Sequence, residues 1–252
     1  MEARLQKILS QWGVASRRQA EEMIRQSRVR INGTLAHIGQ KVDPDCDIIT
    51  VDGNPITVAA RPELIYLLLN KPVGVVSTCD DPQGRPTVLD LLPQELNSGQ
   101  GIHPVGRLDF ESTGALILTN DGELTYQLTH PRHSISKTYR VLLQGHPSES
   151  VLETWRQGVI LDGRKTRKAL VRVIKRLANQ TSIEIVLKEG RNRQIRRVAE
   201  ILGYPVIKLQ RTAIGPIKLH SPGQSFLPEG SYRSLTDLEI GNLHSSVSIS
   251  SY

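Results

Sequence analysis

The chain has 252 residues, enough for one large domain or for a small module followed by a domain with a sizeable core. Lys and Arg outnumber Asp and Glu by 32 to 25, and the resulting net charge of +7 favours a polyanionic partner. Two cysteines are too few for a disulfide framework, and the sequence has neither a signal-peptide core nor a membrane-length apolar run. A cytoplasmic protein that makes no use of a membrane is predicted.

The positive charge is concentrated in three segments. Residues 1–41 hold eight basic side chains against three acidic ones, residues 164–176 hold seven against none, and residues 188–218 hold eight against two. A solvated surface would mix the two signs more evenly, so this pattern predicts a long anionic ligand that is contacted at several places.

Residues 1–60 are predicted to form a first, small domain. Leu5, Ile8 and Leu9 have helical spacing, and Gly13 ends that helix. Ser16 and Gln19 have the spacing of a capping box and begin a second helix. Short strands at Val29 to Ile31 and Ile48 to Val51 follow, each before a turn, at Asn32-Gly33 and Asp52-Gly53. Two helices and a small β unit result.

Residues 61–240 are predicted to form a second domain, after a linker at Ala59 to Arg61 that Pro62 ends. Strands are expected at 64–69, 74–78, 115–119, 138–143, 169–175 and 181–187, and helices at 124–129, 148–157 and 193–202. Because helices do not follow every strand, the fold class is α+β with a mixed, mainly antiparallel sheet. The polar residues 241–252 are predicted to be a disordered tail.

No cofactor or metal is predicted. The sequence has no GxxxxGK[ST] loop and no GxGxxG before a helix, and its histidines stand apart from any partner at metal-ligand spacing. Ordinary side chains must therefore carry any chemistry. Asp109 is the candidate, because it lies behind Arg107 in a turn-rich segment just before the apolar run 115–118. A carboxylate at the mouth of a strand can face a substrate, although an isolated Asp there is more often a turn or cap residue.

The first domain resembles the S4 RNA-binding domain over the run RLQKILSQWGVASRRQAEEMIRQSRVRINGTLAHIGQKV. The resemblance implies that basic side chains of the two helices and the following loop contact RNA phosphates. The positions that it marks are Arg17, Arg18, Arg25, Arg28 and Arg30, with Lys41 as a further candidate.

The second domain resembles the pseudouridine synthases of the RsuA/RluB family. Four segments carry the resemblance: LLNKPVGVVST, GRLDFESTGALILTNDG, KTYRV and KEGRNRQIRRVAEILGYPVIKLQRTAIGPIKL. It implies that a uridine in RNA is isomerised without a cofactor, with Asp109 as the catalytic aspartate. Whether Asp109 acts first as nucleophile or as base stays open. The resemblance also implies that Arg196 pairs with Asp109 and that Tyr139 faces the target base.

The resemblance further implies that the target base leaves the RNA stack and enters a pocket beside Asp109. Arg107 is then placed to contact or replace the departing nucleotide. Flanking phosphates are expected at Arg191, Arg193, Arg197 and Arg211. The expected partner is ribosomal RNA or a ribosomal assembly particle, and the expected state is a monomer.

Three alternatives remain for the function. Residues 80–93 favour the family members that act on large-subunit ribosomal RNA, with a small-subunit enzyme as the near alternative. A non-catalytic RNA-binding or ribosome-assembly protein would be free to lose Asp109, Tyr139 and Arg196, and all three are present. A heat-shock or synthetase-type S4 protein leaves the segment GRLDFESTGALILTNDG without an explanation.

Overall fold

The computed structural model describes residues 2–56, 62–220 and 226–248, which group into two compact units. The first unit comprises the described residues of Met1–Ile65 together with Leu92–His103 and Thr119–Gly122. The second comprises the described residues of Tyr66–Leu91, Pro104–Leu118 and Glu123–Tyr252. The predicted linker at 59–61 and the boundary between 60 and 61 lie outside the described residues.

The first unit has the predicted two helices and small β structure. Its elements are β1 (Ala3–Arg4), α1 (Leu5–Gln11), α2 (Arg17–Arg25), β2 (Val29–Ile31), β3 (Thr34–Leu35), β4 (Lys41–Val42), β5 (Ile49–Val51) and β6 (Asn54–Ile56). The strands form a β1-β4 pair and a four-stranded sheet in the order β3-β2-β5-β6. The Ser16 hydroxyl accepts from the Gln19 amide, and the Gln19 side chain accepts from the Ser16 amide, so the predicted capping box is confirmed.

Residues 92–103 and 119–122 pack with the first unit, although the sequence analysis placed them in the second domain. A Cβ built on Gly13 would lie only 2.2 Å from the carbonyl oxygen of Gly99, so the end of α1 and this segment are in close backbone contact. The Asn120 side chain accepts from the Ile65 amide and donates to the carbonyl oxygens of Glu63 and Gln100. Contacts between residues far apart in sequence thus define this unit, which also holds α3 (Gln94–Asn97).

The second unit is built on the large sheet, which has nine strands among the described residues. In chain order its elements are β7 (Tyr66–Lys71), β8 (His103–Pro104), β9 (Thr113–Thr119), α4 (Gly122–Thr129), a 3-10 turn (Pro131–His133), β10 (Lys137–Gln144), α5 (Glu149–Gln157), β11 (Ile160–Leu161), β12 (Arg164–Lys165), β13 (Leu170–Arg176), β14 (Gln180–Leu187), α6 (Gln194–Ile201), β15 (Val206–Ile214), β16 (Ile217–Lys218), β17 (Tyr232–Ser234) and α7 (Asp237–Ser248). The sheet order is β13-β14-β10-β15-β9-β7-β17, with β16 on β15 and β8 on β9.

Antiparallel pairing predominates in this sheet, and β15 with β9 is a parallel pair. The α+β fold class with a mixed, mainly antiparallel sheet is therefore confirmed. Alternate residues of β14 are buried and partly exposed, as expected for a strand with one covered face. Ile183 and Ile185 on that face belong to one apolar core with Leu152 of α5 and Val198 of α6. A second core joins Leu68, Ile117 and Leu128.

Residues 74–78 do not form the predicted strand. Gly74 has a φ of +82°, and Val76 makes only an isolated bridge with Thr87. The neighbouring Ser77 side chain is instead hydrogen-bonded to the backbone of Leu108. The apolar content of this segment is therefore used to pack a loop, not to extend the sheet.

The prediction of a disordered tail from residue 241 is also wrong for residues 241–248, which continue α7. Leu243 is fully buried in the core that contains Leu68, so one apolar side chain anchors a polar helix. Thr236 and Glu239 exchange reciprocal cap bonds at the start of the helix, and Arg233 forms an ion pair with Glu239. Residues 249–252 lie outside the described residues.

Candidate active site

A cavity of about 450 Å³ opens in the second unit, and Asp109 is one of the residues that line it. Two other residues that the sequence analysis placed near the chemistry, Arg107 and Tyr139, also line it. Arg196 does not. The remaining walls include residues 128–131, 134, 135 and 137 from the end of α4 to the start of β10, Arg167, residues 187–195 from the end of β14 to the start of α6, and Leu209 and Arg211 of β15.

Asp109 lies on a loop four residues before β9, as the sequence analysis predicted. The Ser77 hydroxyl accepts from the Leu108 amide at 3.1 Å and donates to the Leu108 carbonyl at 3.0 Å. The amide of Gly74 donates to the Phe110 carbonyl, also at 3.0 Å. The residues on both sides of Asp109 are thus fixed by the loop 74–78.

Three cations fix the rest of the same loop from inside the protein. The Arg211 guanidinium reaches the Arg107 carbonyl at 3.5 Å, and Arg196 donates to the Glu111 carbonyl at 3.2 Å. The Lys71 ammonium donates to the Ser112 carbonyl at 3.0 Å. The backbone carbonyl oxygen of Asp109 accepts a hydrogen bond from the Ser112 amide, and this bond closes a turn. The loop is therefore held along its backbone, and this arrangement places Asp109 at the cavity.

Lys71 is a site residue that the sequence analysis missed. Its side chain is completely buried at the end of β7 and donates to the carbonyl oxygens of Pro72 and Ser112. Burial lowers the pKa of Lys71 to about 8, with the Asp109 carboxylate acting to raise it and the Arg211 charge to lower it. Lys71 is mainly protonated at pH 7, so it places a positive charge behind Asp109. The sequence did contain one signal for this residue, because Lys71 ends the apolar strand Tyr66–Lys71.

The predicted ion pair between Arg196 and Asp109 is not formed in this structure. The Arg196 guanidinium contacts the Glu111 carbonyl and lies 3.8 Å from the Glu111 carboxylate and 3.5 Å from the Ser112 hydroxyl. Among the described residues no cationic side chain lies within 4.0 Å of the Asp109 carboxylate. Glu111 also pairs with Arg193 at 3.2 Å. A second carboxylate, two residues beyond Asp109, thus takes the arginine that the sequence analysis assigned to Asp109.

Tyr139 and Arg211 are register partners on β10 and β15, and both line the cavity. Tyr139 is partly buried against the core that contains Ile183, and it also lines the cavity. Arg211 is only 4% exposed, and its Nε donates to the Ala115 carbonyl at 2.7 Å. Burial lowers the pKa of the Arg211 guanidinium, while interaction with Tyr139 raises it. Because the Arg211 side chain is enclosed in the protein but borders the cavity, its role as a contact of a flanking phosphate stays a prediction.

The arginines of the α6 segment already have partners within the protein. Arg191 donates to three carbonyl oxygens, those of Leu161, Arg164 and Lys165. Arg197 makes two bonds with the Asp162 carboxylate, at 2.9 and 2.5 Å. Their roles as phosphate contacts, like that of Arg193, stay predictions. Leu209 is buried in the core with Val198 and borders the cavity.

The basic residues of the first unit divide into free and paired groups. Arg17 and Arg18 are exposed, and neither has an ion pair within 4.0 Å among the described residues. Arg25 pairs with Glu22 at 2.9 Å, and Arg28 pairs with Asp52, whose pKa it lowers. Arg30 donates to the Gly33 carbonyl. A hollow of about 390 Å³ in this unit is lined by four basic residues, Arg4, Lys7, Arg17 and Lys41, and by the carboxylates Glu2 and Glu21. Arg4 and Lys7 were not predicted as RNA contacts.

The described residues contain no cluster of three or more potential metal ligands and no helix long and apolar enough to cross a membrane. The histidines near the cavity have local partners. His133 is buried, its Nε2 accepts from the Arg132 Nε at 2.9 Å, and its pKa is lowered chiefly by burial. The site thus consists of a carboxylate, a tyrosine and buried cations at one cavity.

Comparison with known proteins identifies the class to which the chain belongs. Residues 65–200 match the family model described as RNA pseudouridylate synthase, and residues 3–49 match the S4 domain. The chain belongs to the RNA pseudouridylate synthase family and carries an S4 domain.

Similar proteins cover almost the whole chain. A ribosomal large subunit pseudouridine synthase B of Bacillus subtilis is 40% identical, over 95% of this chain and 95% of its own length. An RNA pseudouridine synthase of Aquifex aeolicus is 37% identical, over 99% of this chain and 96% of its own. A solved pseudouridylate synthase structure covers 95% of this chain and 99% of its own, with 32% identity and a TM-score of 0.66.

Proposed function

We propose that the protein isomerises a specific uridine to pseudouridine in large-subunit ribosomal RNA. The single observation that supports the chemistry is the backbone-fixed loop that presents Asp109 at the cavity, beside Tyr139. The large-subunit substrate is favoured by residues 80–93 and by the name of the Bacillus subtilis relative.

Base flipping supplies the target uridine to the cavity, because a stacked and paired base hides its glycosidic bond. Asp109 then acts on the sugar, either as nucleophile at the anomeric carbon or as base on the ribose. The glycosidic C–N bond breaks, the uracil turns within the cavity, and a C–C bond forms at the same sugar carbon. The proton displaced from the uracil carbon is lost, and the ring nitrogen is protonated. Atoms balance without a cofactor.

Lys71, Tyr139 and Arg196 support these reaction steps in different ways. The buried ammonium of Lys71 holds the backbone of the Asp109 loop through the Ser112 carbonyl oxygen. The Tyr139 ring offers a flat apolar surface to the uracil, and its hydroxyl can relay a proton. Arg196 fixes the backbone at Glu111, so in this proposal it positions the Asp109 loop.

The test is to replace Asp109 by Asn, which keeps the shape and removes the charge. Pseudouridine formation in large-subunit ribosomal RNA transcripts should fall by at least about 1,000-fold, while the melting temperature and RNA affinity stay near those of the wild type. Asp237→Asn is the matched control, because Asp237 is an exposed carboxylate at the start of α7. An Asp109→Asn protein that still modifies its RNA would refute the catalytic assignment.

The choice of subunit needs a separate measurement. Pseudouridines in both ribosomal RNAs are mapped by primer stops in a strain that lacks the gene, with the gene restored as control. Loss of one large-subunit pseudouridine is expected. Loss of a small-subunit site alone would overturn the proposed substrate, and loss of neither would favour the non-catalytic alternative.

A further inference from the structure

The basic run 164–176 borders the cavity through Arg167, and its other residues separate along the fold. Lys175 and Arg176 lie at the far end of β13, opposite Ser182 and Thr181 at the start of β14. Arg164, Lys165 and Arg167 lie at the other end, at and after β12. All three of these side chains are exposed, and none has an ion pair within 4.0 Å in the described parts of the chain.

The segment that carries these three side chains is here named the basic hairpin, residues 160–168. Its strands β11 and β12 are joined by Asp162 and Gly163, both with positive φ, as in a tight two-residue turn. Exposed two-stranded hairpins are marginally stable by themselves. Contacts from elsewhere must therefore fix this one.

Two arginines of the α6 segment supply those contacts. The Arg191 guanidinium donates to the carbonyl oxygens of Leu161, Arg164 and Lys165, at 3.3, 2.9 and 2.7 Å. Arg197 holds the Asp162 carboxylate with two bonds. The acceptors of these bonds are backbone carbonyl oxygens of the basic hairpin and the Asp162 carboxylate in its turn. They leave the Arg164 and Lys165 side chains free for another ligand.

The basic hairpin lies at the wall of the Asp109 cavity. Arg167 lines the cavity, its amide donates to the Glu189 carboxylate at 2.8 Å, and its guanidinium donates to the Ser134 hydroxyl at 3.0 Å. Arg191 lines the same cavity. A nucleic acid strand with one nucleotide in the cavity would therefore pass a hairpin whose backbone is fixed and whose cationic side chains are free to meet its phosphates.

We propose that the basic hairpin binds phosphates of the RNA strand next to the flipped nucleotide, through Arg164, Lys165 and Arg167. Arg191 and Arg197 act as positioning residues that hold the hairpin. The assignment rests on the proposed function only in taking RNA as the substrate. RNA is the partner because three exposed cations lie on one hairpin that borders the cavity, and an RNA strand presents several phosphates to such a group.

The test is a double variant, Arg164→Gln with Lys165→Gln. The matched control is Lys175→Gln with Arg176→Gln, which removes the same charge from the far end of β13. RNA binding is measured by fluorescence anisotropy between 50 and 300 mM KCl, with a large-subunit ribosomal RNA transcript, in an Asp109→Asn background that prevents turnover. Circular dichroism checks that each variant is folded.

In the hairpin variant, the slope of log K against log salt should decrease in magnitude by about 1 to 2, since each phosphate contact contributes roughly 0.7 to 0.9. Affinity near 100 mM KCl should fall by about 5- to 30-fold, and the control should change by less than about half as much on a logarithmic scale. Equal slopes for the hairpin variant and the wild type, or equal losses in both variants, would overturn the assignment.

Pseudouridine formation by the wild-type protein distinguishes failure of the proposed function from failure of the hairpin assignment. If the wild-type protein forms no pseudouridine on any ribosomal RNA but its binding still depends on the hairpin, the hairpin assignment holds and the enzymatic proposal fails. If modification is normal and the hairpin variant binds and modifies RNA like the wild type, only the hairpin assignment fails.

Discussion

Gly114 and Arg211 are register partners in the parallel pairing of β9 with β15, and their backbones are in unusually close contact. A Cβ built on Gly114 would lie 2.2 Å from the carbonyl oxygen and 2.7 Å from the amide nitrogen of Arg211. The φ of Gly114 is +111°, a conformation that favours glycine. This close approach places the Arg211 side chain where it bonds the carbonyl oxygens of Arg107 and Ala115. A glycine thus sets the geometry beneath the Asp109 loop.

Gly114→Ala should destabilise the protein by roughly 2 to 4 kcal/mol, because a backbone, not a flexible side chain, would have to move. Activity should fall further than the folded fraction does, since Arg211 and the loop would shift. Urea unfolding and single-turnover assays measure the two effects. Gly203→Ala is the control: Gly203 has a φ of +84° but open space around it, so about 1 kcal/mol is expected. Equal losses in both variants would contradict the role of the close contact.

Arg211→Met tests the electrostatic role of the buried guanidinium. Burial, with a further contribution from the Arg211 charge, lowers the pKa values of Lys71 and Lys137 to about 8. Removing that charge should therefore raise both pKa values, while methionine keeps much of the side-chain volume. The ¹³Cε shifts of the two lysines, followed by NMR from pH 6 to 11, report the change. Arg172→Met, at an exposed position paired with Glu184, should leave both pKa values unchanged.

How far the sequence predicts this protein depends on how local each interaction is. The capping box of Ser16 and Gln19 spans three residues, and its spacing was sufficient to predict it. The position of Asp109 before β9 was likewise predicted from neighbouring turn formers and an apolar run. Lys71 was missed because its acceptor, Ser112, lies 41 residues further along the chain. The burial of Lys71 depends on the sheet, not on its neighbours in sequence.

The arginines around α6 also show that sequence alone does not identify the partner of a side chain. A run of arginines around α6 predicts contact with an anion, and the sequence does not show which anion. Arg197 is hydrogen-bonded to the Asp162 carboxylate, 35 residues earlier in the chain, and Arg196 is hydrogen-bonded to the Glu111 carbonyl. Composition alone could not separate such internal partners from RNA. Similarly, the polar composition of residues 241–248 concealed a helix that one buried side chain, Leu243, anchors.

The stability of the protein should rise with pH in the alkaline range. Folding lowers the pKa of Lys71 from its ordinary value of 10.5 to about 8, so the unfolded chain binds more protons between these pH values. The cost of burying the charged form is present below pH 8 and disappears as pH approaches 10.5. Lys71→Met should remove on the order of 1 to 3 kcal/mol of this rise, as measured by urea unfolding at pH 7.5 and 10. Parallel pH dependences in the wild type and the variant would contradict it.

Ser16→Ala should destabilise the first unit by about 1 kcal/mol, because the Gln19 amide at the start of α2 would lose its acceptor. Ser16→Asp should restore most of the loss, since a carboxylate accepts the same bond and suits the helix N-terminus. Hydrogen exchange of the α2 amides is the suitable measurement, because it reports this unit separately from the large sheet. The comparison fails if alanine and aspartate give the same protection.

The first unit offers a direct comparison between free and paired arginines in RNA binding. Arg17→Gln with Arg18→Gln should weaken RNA binding and lower the salt slope by about 1 to 2, because free guanidinium groups can neutralise phosphates directly. Arg25→Gln with Arg28→Gln removes the same formal charge, but these side chains are already paired with Glu22 and Asp52. Their slope should therefore change by less than about half as much. Anisotropy titrations at several KCl concentrations measure both variants. A larger slope change in the paired variant would mean that RNA displaces these ion pairs and that the binding surface lies at the end of α2 and β5.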